Sequence, residues 1–459
     1  MTVFVVLTLT SNGYGFDRDE LYFAMLHPAW GYVDQPPLVP LLAHALGGSG
    51  PWLLRLPASL CAAGSVVVTA LTARELGGDA RAQAWTAWGY AGTSAVLTFG
   101  HVLLTSSADL LLWPLVSLLV IRAELRHRPA LWLVAGAVAG AATYNKLLIG
   151  WLLAGLALGY LLVGPRDRLR SPWVIGGSAL ALLLAVPNLA YQIANGWPQL
   201  EMGQALADNN ADFTRWFMWV FLVVILGPPL VVVWLAGVRE LWWRPELRCF
   251  VVAFGLVVGL TFGAAAQPHY PAFLMPTLFA AGVVAMVDQL DRGWLWRGLF
   301  AANAAVSLVV SLPLLPVGVL ARTPIPDMNI VAADSVGWPA YVDQIGAVHD
   351  SLPASDGAVV VTSNYGEAGA IAHYRPDVAV YSGQNSLYDQ ARPADDVTTV
   401  VFVGGQFEYA EGLFASCEIR DRLDSGTDVD NEEQGVPVAV CRDPLEPWSN
   451  TWPRLRHLD

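Results

Sequence analysis

Long apolar runs recur through the first 316 residues of this chain and constrain its fold more than any other feature. An α-helix needs about 20 apolar residues to cross a bilayer. Eleven runs approach that length, and they cover residues 1–13, 51–73, 82–104, 108–124, 130–146, 147–164, 173–193, 214–237, 249–266, 270–288 and 296–316. Tryptophan is frequent at the ends of these runs, as it is at membrane interfaces. We therefore expect a multi-span α-helical membrane protein with eleven transmembrane helices.

Basic residues divide unevenly between alternate loops of this arrangement. One set of loops carries thirteen Arg, and the opposite set carries three Arg and Lys146. Because Lys and Arg are retained on the cytoplasmic side, residues 12–50 and the tail after residue 316 are predicted to lie outside the cytoplasm, on a cell-membrane protein. The first run is short for a span, and we expect the natural chain to begin upstream of Met1.

Charge divides the chain into two predicted domains. Residues 1–316 carry a net charge of +1 and residues 317–459 carry −14. A composition that is 55% apolar and 14% charged argues against a single water-soluble globule. Nucleic-acid binding would need a concentrated basic face that the sequence lacks. We predict a transmembrane domain over 1–316 and a small extracytoplasmic α/β domain over 317–459.

The polar tail shows strands alternating with helices, which predicts a mainly parallel sheet. Helices are predicted at 338–351, 365–374 and 406–415, and strands at 357–363, 377–381, 397–403, 417–423 and 436–441. Cys417 and Cys441 fall on two of these strands outside the cytoplasm, which predicts a disulfide bond; two unrelated buried thiols are the alternative. The turn from Ser363 to Gly369 can bind an anion or sugar hydroxyls at a helix start, or can be purely structural.

Candidate catalytic and binding residues gather on the predicted outer side. Asp17, Asp19 and Glu20 follow the first apolar run, where they can act chemically or can cap and charge a helix start. Asp109 stands at the outer entrance of a span, where a carboxylate is either functional or a helix cap. Lys146 is the one Lys of the sequence, and its ammonium suits either a substrate phosphate or lipid headgroups.

A fourth outer element is Gln267-Pro-His-Tyr-Pro271. His269 can bind a metal ion or a substrate hydroxyl, or can be a loop residue hydrogen-bonded to backbone. His101 has the same ambiguity.

These motifs together resemble the GT-C membrane glycosyltransferases. The stretches Arg18-Asp-Glu-Leu-Tyr22 and Gly31-Tyr-Val-Asp-Gln-Pro-Pro-Leu38 are similar to those of glycosyltransferase family 39, which includes protein O-mannosyltransferases and lipid A aminoarabinose transferases. Aminoarabinose transferases usually have a Lys before the Pro-Pro motif, where this chain has Asp34-Gln35, so the sugar or acceptor can differ.

The resemblance implies transfer of one sugar, with inversion, from a polyprenyl-phosphate donor to a lipid, glycan or protein acceptor outside the membrane. It implies Asp19, Glu20 and Asp109 as catalytic acids, with the base among Asp17, Asp19 and Glu20 left open, and Lys146 as the donor-phosphate ligand. Further predicted substrate contacts are Asp17, Tyr22, Asp34, Gln35, His101, Gln267, His269 and Tyr270.

No cofactor is certain from the sequence. Asp19, Glu20, Asp109 and His101 offer ligands to a divalent metal ion, which some relatives carry and others do not need. Two other function classes stay open, a multi-span transporter and a non-catalytic membrane receptor with an external binding domain. A transporter should show repeated halves with broken, polar helices at mid-membrane.

Overall fold

The computed structural model describes all 459 residues apart from the side chain at position 210. The chain folds into two compact units. The first unit comprises Met1–Leu9, Gln35–Leu38 and Arg55–Leu312, and the second comprises Thr10–Asp34, Val39–Leu54 and Pro313–Asp459. The structure thus assigns most of the first predicted outer loop to the same unit as the tail.

The first unit is a bundle of apolar helices. Their bounds are Thr2–Thr10, Leu56–Glu75, Ala80–Ala91, Ser94–His101, Thr105–Leu125, Leu131–Ala142, Ile149–Leu162, Pro172–Ala194, Pro198–Val224, Val231–Trp243, Arg248–Gly263, Met275–Arg292 and Trp294–Ser311. Their inward faces form one core that includes Trp113, Phe250 and Phe279, all of them fully buried. Small residues allow these helices to approach one another closely, as is common between helices in membranes. For example, a Cβ on Gly237 would collide with the backbone of Leu278.

The predicted count of eleven spans is not confirmed. Within the described part of the chain, three helices have the length and composition to cross a membrane: Pro51–Glu75, Pro172–Ala194 and Trp294–Ser311. A fourth is possible if Ala211–Val224 and Pro228–Trp243 form one span, but they meet at 78°. Several other predicted spans are helices of 9 to 16 residues.

Two predicted spans are broken for identifiable reasons. The run 214–237 was expected to be continuous, but Gly227 adopts a φ of +107° and is followed by two prolines. The run 82–104 ends its first helix at Ala91, and Thr93 caps a new one by accepting a hydrogen bond from the Val96 N–H. A hydropathy profile does not show a helix cap or a turn inside an apolar run.

The second unit is built around a five-stranded sheet. Its strands are β1 (Val359–Thr362), β2 (Val380–Ser382), β3 (Thr399–Val403), β4 (Phe414–Arg422) and β5 (Pro437–Pro444), in the order β2-β1-β3-β5-β4. The helices of this unit are Arg18–Met25, Pro51–Leu54, Val317–Leu320, Ile325–Met328, Ile330–Ala333, Trp338–Asp350, Tyr365–Tyr374, Leu387–Gln390, Phe407–Ala410 and Trp448–Thr451, and Leu38–Leu46 begins in the first unit. Below, Arg18–Met25 is called the loop helix and Tyr365–Tyr374 the domain helix.

The prediction of a mainly parallel sheet is half right. Strand β1 pairs in parallel with β2 and β3, but β5 is antiparallel to both β3 and β4. The chain between β4 and β5 contains no helix, and a parallel crossover normally requires one. The helix predicted at 406–415 is also shorter, because β4 already begins at Phe414.

Candidate functional site

Lys146 lies in the turn between the Leu131–Ala142 and Ile149–Leu162 helices of the first unit. Its Nζ is 3.2 Å from the Thr105 hydroxyl, to which it donates, and 4.7 Å from the centre of the Tyr270 ring. The side chain is half-buried. A hydroxyl and an aromatic face therefore hold this ammonium, and neither of them neutralises its charge.

Asn145 connects this turn to the start of the Thr105–Leu125 helix. Its Nδ2 donates to the Thr105 carbonyl at 2.9 Å and to Asp109 Oδ1 at 3.0 Å. Asp109 and Asn145 are both fully buried. The helix cap suggested as the alternative role for Asp109 is instead made by Ser107, whose Oγ accepts from the Leu104 N–H at 3.0 Å. Asp109 thus belongs to a buried polar network beside Lys146.

Two further predicted motifs reach the same place. The Leu38 N–H at the end of the Pro-Pro-Leu motif donates to the Tyr144 carbonyl at 2.9 Å. His269 Nε2 lies 3.0 Å from Ser106 Oγ, and its ring packs against Phe99 with centroids 5.4 Å apart. We call Thr105, Asp109, Asn145, Lys146, His269 and Tyr270 the lysine cluster.

Three other residues predicted to bind substrate lie in the first unit, and the contacts described above do not include them. Gln35 and His101 are buried, with His101 closing the Ser94–His101 helix. Gln267 is half-buried in the loop before Tyr270. Their roles stay predictions.

In the second unit, the three neighbouring acids have separate tasks. Asp17 caps the loop helix by accepting from the Asp19 N–H at 3.0 Å, and Glu20 Oε2 accepts from the Asp17 N–H at 2.9 Å. Both side chains are buried. This capping box favours a structural role over the predicted catalytic role of Glu20 and the predicted substrate contact of Asp17.

Asp19 is the acid of this group that is half-exposed. The Tyr365 hydroxyl donates to Asp19 Oδ1 at 2.8 Å. Burial raises the pKa of Asp17 well above its usual value, and the nearby carboxylates of Asp19 and Glu20 raise it further. The geometry therefore selects Asp19 as the most available carboxylate of the three.

Arg18 is surrounded by acids. Its Nη1 is 2.6 Å from Glu432 Oε2 and 3.7 Å from Asp334 Oδ2, and its guanidinium lies 5.0 Å from the centre of the Tyr365 ring. Burial raises the pKa of Asp334 to about 8, although Arg18 opposes that shift. The carboxyl oxygens of Glu433 are buried and make no hydrogen bond within the described residues. We call Arg18, Asp19, Asp334, Tyr365, Glu432 and Glu433 the carboxylate cluster.

Tyr22 and Asp34, both predicted to contact substrate, contact each other. The Tyr22 hydroxyl donates to Asp34 Oδ1 at 3.2 Å and accepts from the Ser386 N–H at 3.4 Å. Tyr22 is fully buried. This pair connects the loop helix to a loop of the tail, a structural task that the sequence did not reveal.

The turn from Ser363 to Gly369 does not present free backbone donors. The Gly366 N–H donates to Asn364 Oδ1 at 2.6 Å, and the Tyr365 N–H donates to Gln384 Oε1 at 2.6 Å. Glu367 Oε2 accepts from the Asn364 N–H at 3.2 Å. A capping box thus occupies this helix start, which favours the structural role over anion or sugar binding.

Binding of a divalent ion by the residues that the sequence suggested stays a prediction. Across the described part of the chain, no group of three or more His, Cys, Asp or Glu could hold one. Among the suggested ligands, Glu20 Oε2 already accepts a hydrogen bond within its helix cap.

Residues 34–191, about a third of the chain, match the family model described as dolichyl-phosphate-mannose-protein mannosyltransferase. The structure is similar to the crystal structure of ArnT from Cupriavidus metallidurans in the apo state, with a TM-score of 0.57 and 15% identity over 95% of this chain and 96% of that one. The chain has the fold of the GT-C membrane glycosyltransferases. The prediction of a GT-C fold is confirmed.

Two further solved structures share this fold. The undecaprenyl phosphate-bound form of the same ArnT gives a TM-score of 0.58 at 15% identity, covering 95% of this chain and 97% of that one. The arabinofuranosyltransferase AftD from Mycobacteria gives 0.52 at 13% identity, covering 96% of this chain and 39% of that one. No protein of curated function matches the sequence.

Seven residues of these two clusters were not among the predicted site residues: Arg18, Thr105, Asn145, Asp334, Tyr365, Glu432 and Glu433. Asn145 adjoins Lys146 in the sequence, and Arg18 begins the Arg18-Asp-Glu-Leu-Tyr22 motif. Both residues could therefore have been predicted from their neighbours. Tyr365 lies in the turn that was considered for anion binding, but its contact with Asp19 joins residues 346 positions apart. A contact between residues so far apart in the chain leaves no signal in a single sequence.

Proposed function

We propose that this GT-C protein transfers a single sugar from a polyprenyl-phosphate donor to an acceptor hydroxyl at the outer face of the cell membrane. The observation that carries the proposal is Lys146, a half-buried ammonium held by Thr105 and Tyr270 beside a buried Asn145–Asp109 network. The undecaprenyl phosphate bound to ArnT, a protein of the same fold, supports a lipid-phosphate donor.

Lys146 is assigned to the donor phosphate. When the glycosidic C1–O bond breaks, its electron pair passes to a phosphate oxygen, and an adjacent ammonium stabilises the negative charge that develops. Phosphate needs no proton to leave, so a fixed cation suffices. The aromatic ring and hydroxyl around Nζ restrict its position without cancelling its charge.

Asp19 is assigned to the acceptor. Its carboxylate takes the proton of the attacking hydroxyl while the acceptor oxygen bonds to C1, which inverts the anomeric configuration. The products are the glycosylated acceptor, protonated Asp19 and free polyprenyl phosphate. Asp109 is assigned to positioning the Lys146 turn through Asn145 and does not touch the reacting atoms.

The test is transfer of radiolabelled sugar from a panel of polyprenyl-phosphate sugars by purified protein in lipid vesicles. Wild type should use at least one donor, and Asp19→Asn should abolish transfer without weakening donor binding. Lys146→Met should raise that KM. Asp327→Asn, which changes an exposed acid of the same unit as Asp19, is the matched control.

Inactivity of the wild type with every donor, or full activity of both site variants, would contradict the proposal. Uptake of an intact solute into the vesicles would then favour a transporter, and ligand binding that survives both substitutions would favour a receptor.

A further inference from the structure

The hydroxyl of Tyr365 is directed at Asp19 by several independent contacts within the second unit. It donates to Asp19 Oδ1 at 2.8 Å. The centres of the Tyr365 and Tyr22 rings are 4.6 Å apart. The Cζ atom of Arg18 lies over the Tyr365 ring, 5.0 Å from the centre of that ring. The Tyr365 backbone N–H is held by Gln384 Oε1. The tyrosine is thus fixed at its ring, its backbone and its hydroxyl.

The packing of the loop helix on the domain helix makes this contact possible. Gly369, one turn after Tyr365, lies against the backbone of Leu21, and a Cβ at this position would be 2.6 Å from the Leu21 carbonyl carbon. Only glycine permits that separation. The sequence Tyr-Gly-Glu-Ala-Gly therefore brings the domain helix close enough for Tyr365 to reach Asp19.

Several acids of the second unit lie near Asp19. Asp17 and Glu20 lie on its own turn, and Asp334 approaches from the segment after the Ile330–Ala333 helix. Arg18, which adjoins Asp19 in the sequence, forms an ion pair with Glu432 and faces Glu433. The Tyr365 hydroxyl is a neutral donor aimed at Asp19, and hydrogen bonding to a carboxylate favours its charged form.

We propose that Tyr365 is a positioning residue for Asp19, holding its carboxylate in the orientation and the ionised state that proton abstraction requires. This rests on the proposed function, in which Asp19 is the base. Tyr365 acts through Asp19 and does not bind the sugar or the phosphate. The tail of the chain thereby contributes to proton abstraction, whereas its sequence suggested only anion or sugar binding.

Tyr365→Phe removes the hydroxyl and keeps the ring, and Tyr374→Phe at the other end of the domain helix is the matched control. A hydrogen bond to a charged group corresponds to roughly a 10- to 100-fold effect, so kcat should fall by about that factor in Tyr365→Phe. The donor KM should not change. The acidic limb of the kcat/KM profile should move to higher pH, because the carboxylate loses a donor that favours its charge. Gly369→Ala, which displaces Tyr365 without removing its hydroxyl, should move the limb in the same direction.

A wild-type kcat and pH profile in Tyr365→Phe would overturn the inference. So would an equal loss in Tyr374→Phe, since that would show a general effect on the helix. Asp19→Asn separates this failure from that of the proposed function. If Asp19→Asn is inactive and Tyr365→Phe behaves as wild type, only the inference on Tyr365 is wrong; if Asp19→Asn is active, the assignment of the base is wrong.

Discussion

The Gly369→Ala substitution should separate the loop helix from the domain helix by roughly 1 Å. The new Cβ would lie 2.6 Å from the Leu21 carbonyl carbon, whereas ordinary contacts of this kind are 3.4–4 Å. The Tyr365–Asp19 hydrogen bond is 2.8 Å long and would exceed hydrogen-bonding range after such a shift. Overpacking of this kind costs about 1–3 kcal/mol of stability.

Two measurements check this expectation. Thermal unfolding of Gly369→Ala should begin at a lower temperature than that of wild type, and kcat should fall roughly 10- to 100-fold through loss of the bond to Asp19. Gly412→Ala is the control, because a Cβ there meets no atom within 4 Å. In the double variant Gly369→Ala/Tyr365→Phe, kcat should be no lower than in the more impaired single variant, because both changes remove one interaction.

Independent, multiplying losses in the double variant would refute this reasoning. A Gly369→Ala protein with the stability and kcat of wild type would show that the two helices do not pack as described.

Three further predictions follow from individual contacts. Lys146→Met should raise the donor KM roughly 10- to 100-fold, while Lys146→Arg should retain part of the affinity because it keeps the charge; donor titrations of initial rates measure both. Replacing Cys417 and Cys441 by serine should lower the free energy of unfolding by about 2–4 kcal/mol in denaturant titrations, because the structure joins them in a disulfide across β4 and β5. The second unit should lose stability as pH rises from about 4 to about 8, since burial raises the pKa of Asp334 to about 8 and the folded state favours its protonated form. Thermal unfolding of Asp334→Asn across this range should show a weaker pH dependence.

Much of the second unit could be predicted from its sequence. Apolar β-branched runs identified β1 and β3, and the Tyr365–Tyr374 and Trp338–Asp350 helices lie where they were expected. The antiparallel half of the sheet was missed because strand direction depends on the connection between strands, which hydropathy does not encode. The pairing of Cys417 with Cys441 matches the sequence expectation.

The helices of the first unit were harder to predict from the sequence. Hydropathy located apolar segments but not their breaks, since Gly227 and Thr93 act through backbone conformation and capping. It also overestimated the lengths of individual helices, such as the 9-residue Thr2–Thr10. The number of complete crossings therefore does not follow from the number of apolar runs.

The candidate site was predicted one residue at a time. Lys146 and Asp109 were found because charge is rare in apolar surroundings. Their connection through Asn145, and that of Asp19 with Tyr365, join segments far apart in the sequence and are visible only in the fold.

The central claim is that the donor loses its sugar and keeps its phosphate on the lipid. A polyprenyl-phosphate sugar labelled with ³²P in the phosphate and ¹⁴C in the sugar would be incubated with wild type and with Asp19→Asn. We expect wild type to move ¹⁴C to the acceptor and to release one ³²P-labelled polyprenyl phosphate per sugar, and we expect Asp19→Asn to do neither. Transfer of ³²P together with ¹⁴C, or release of neither label from the donor by wild type, would contradict that claim.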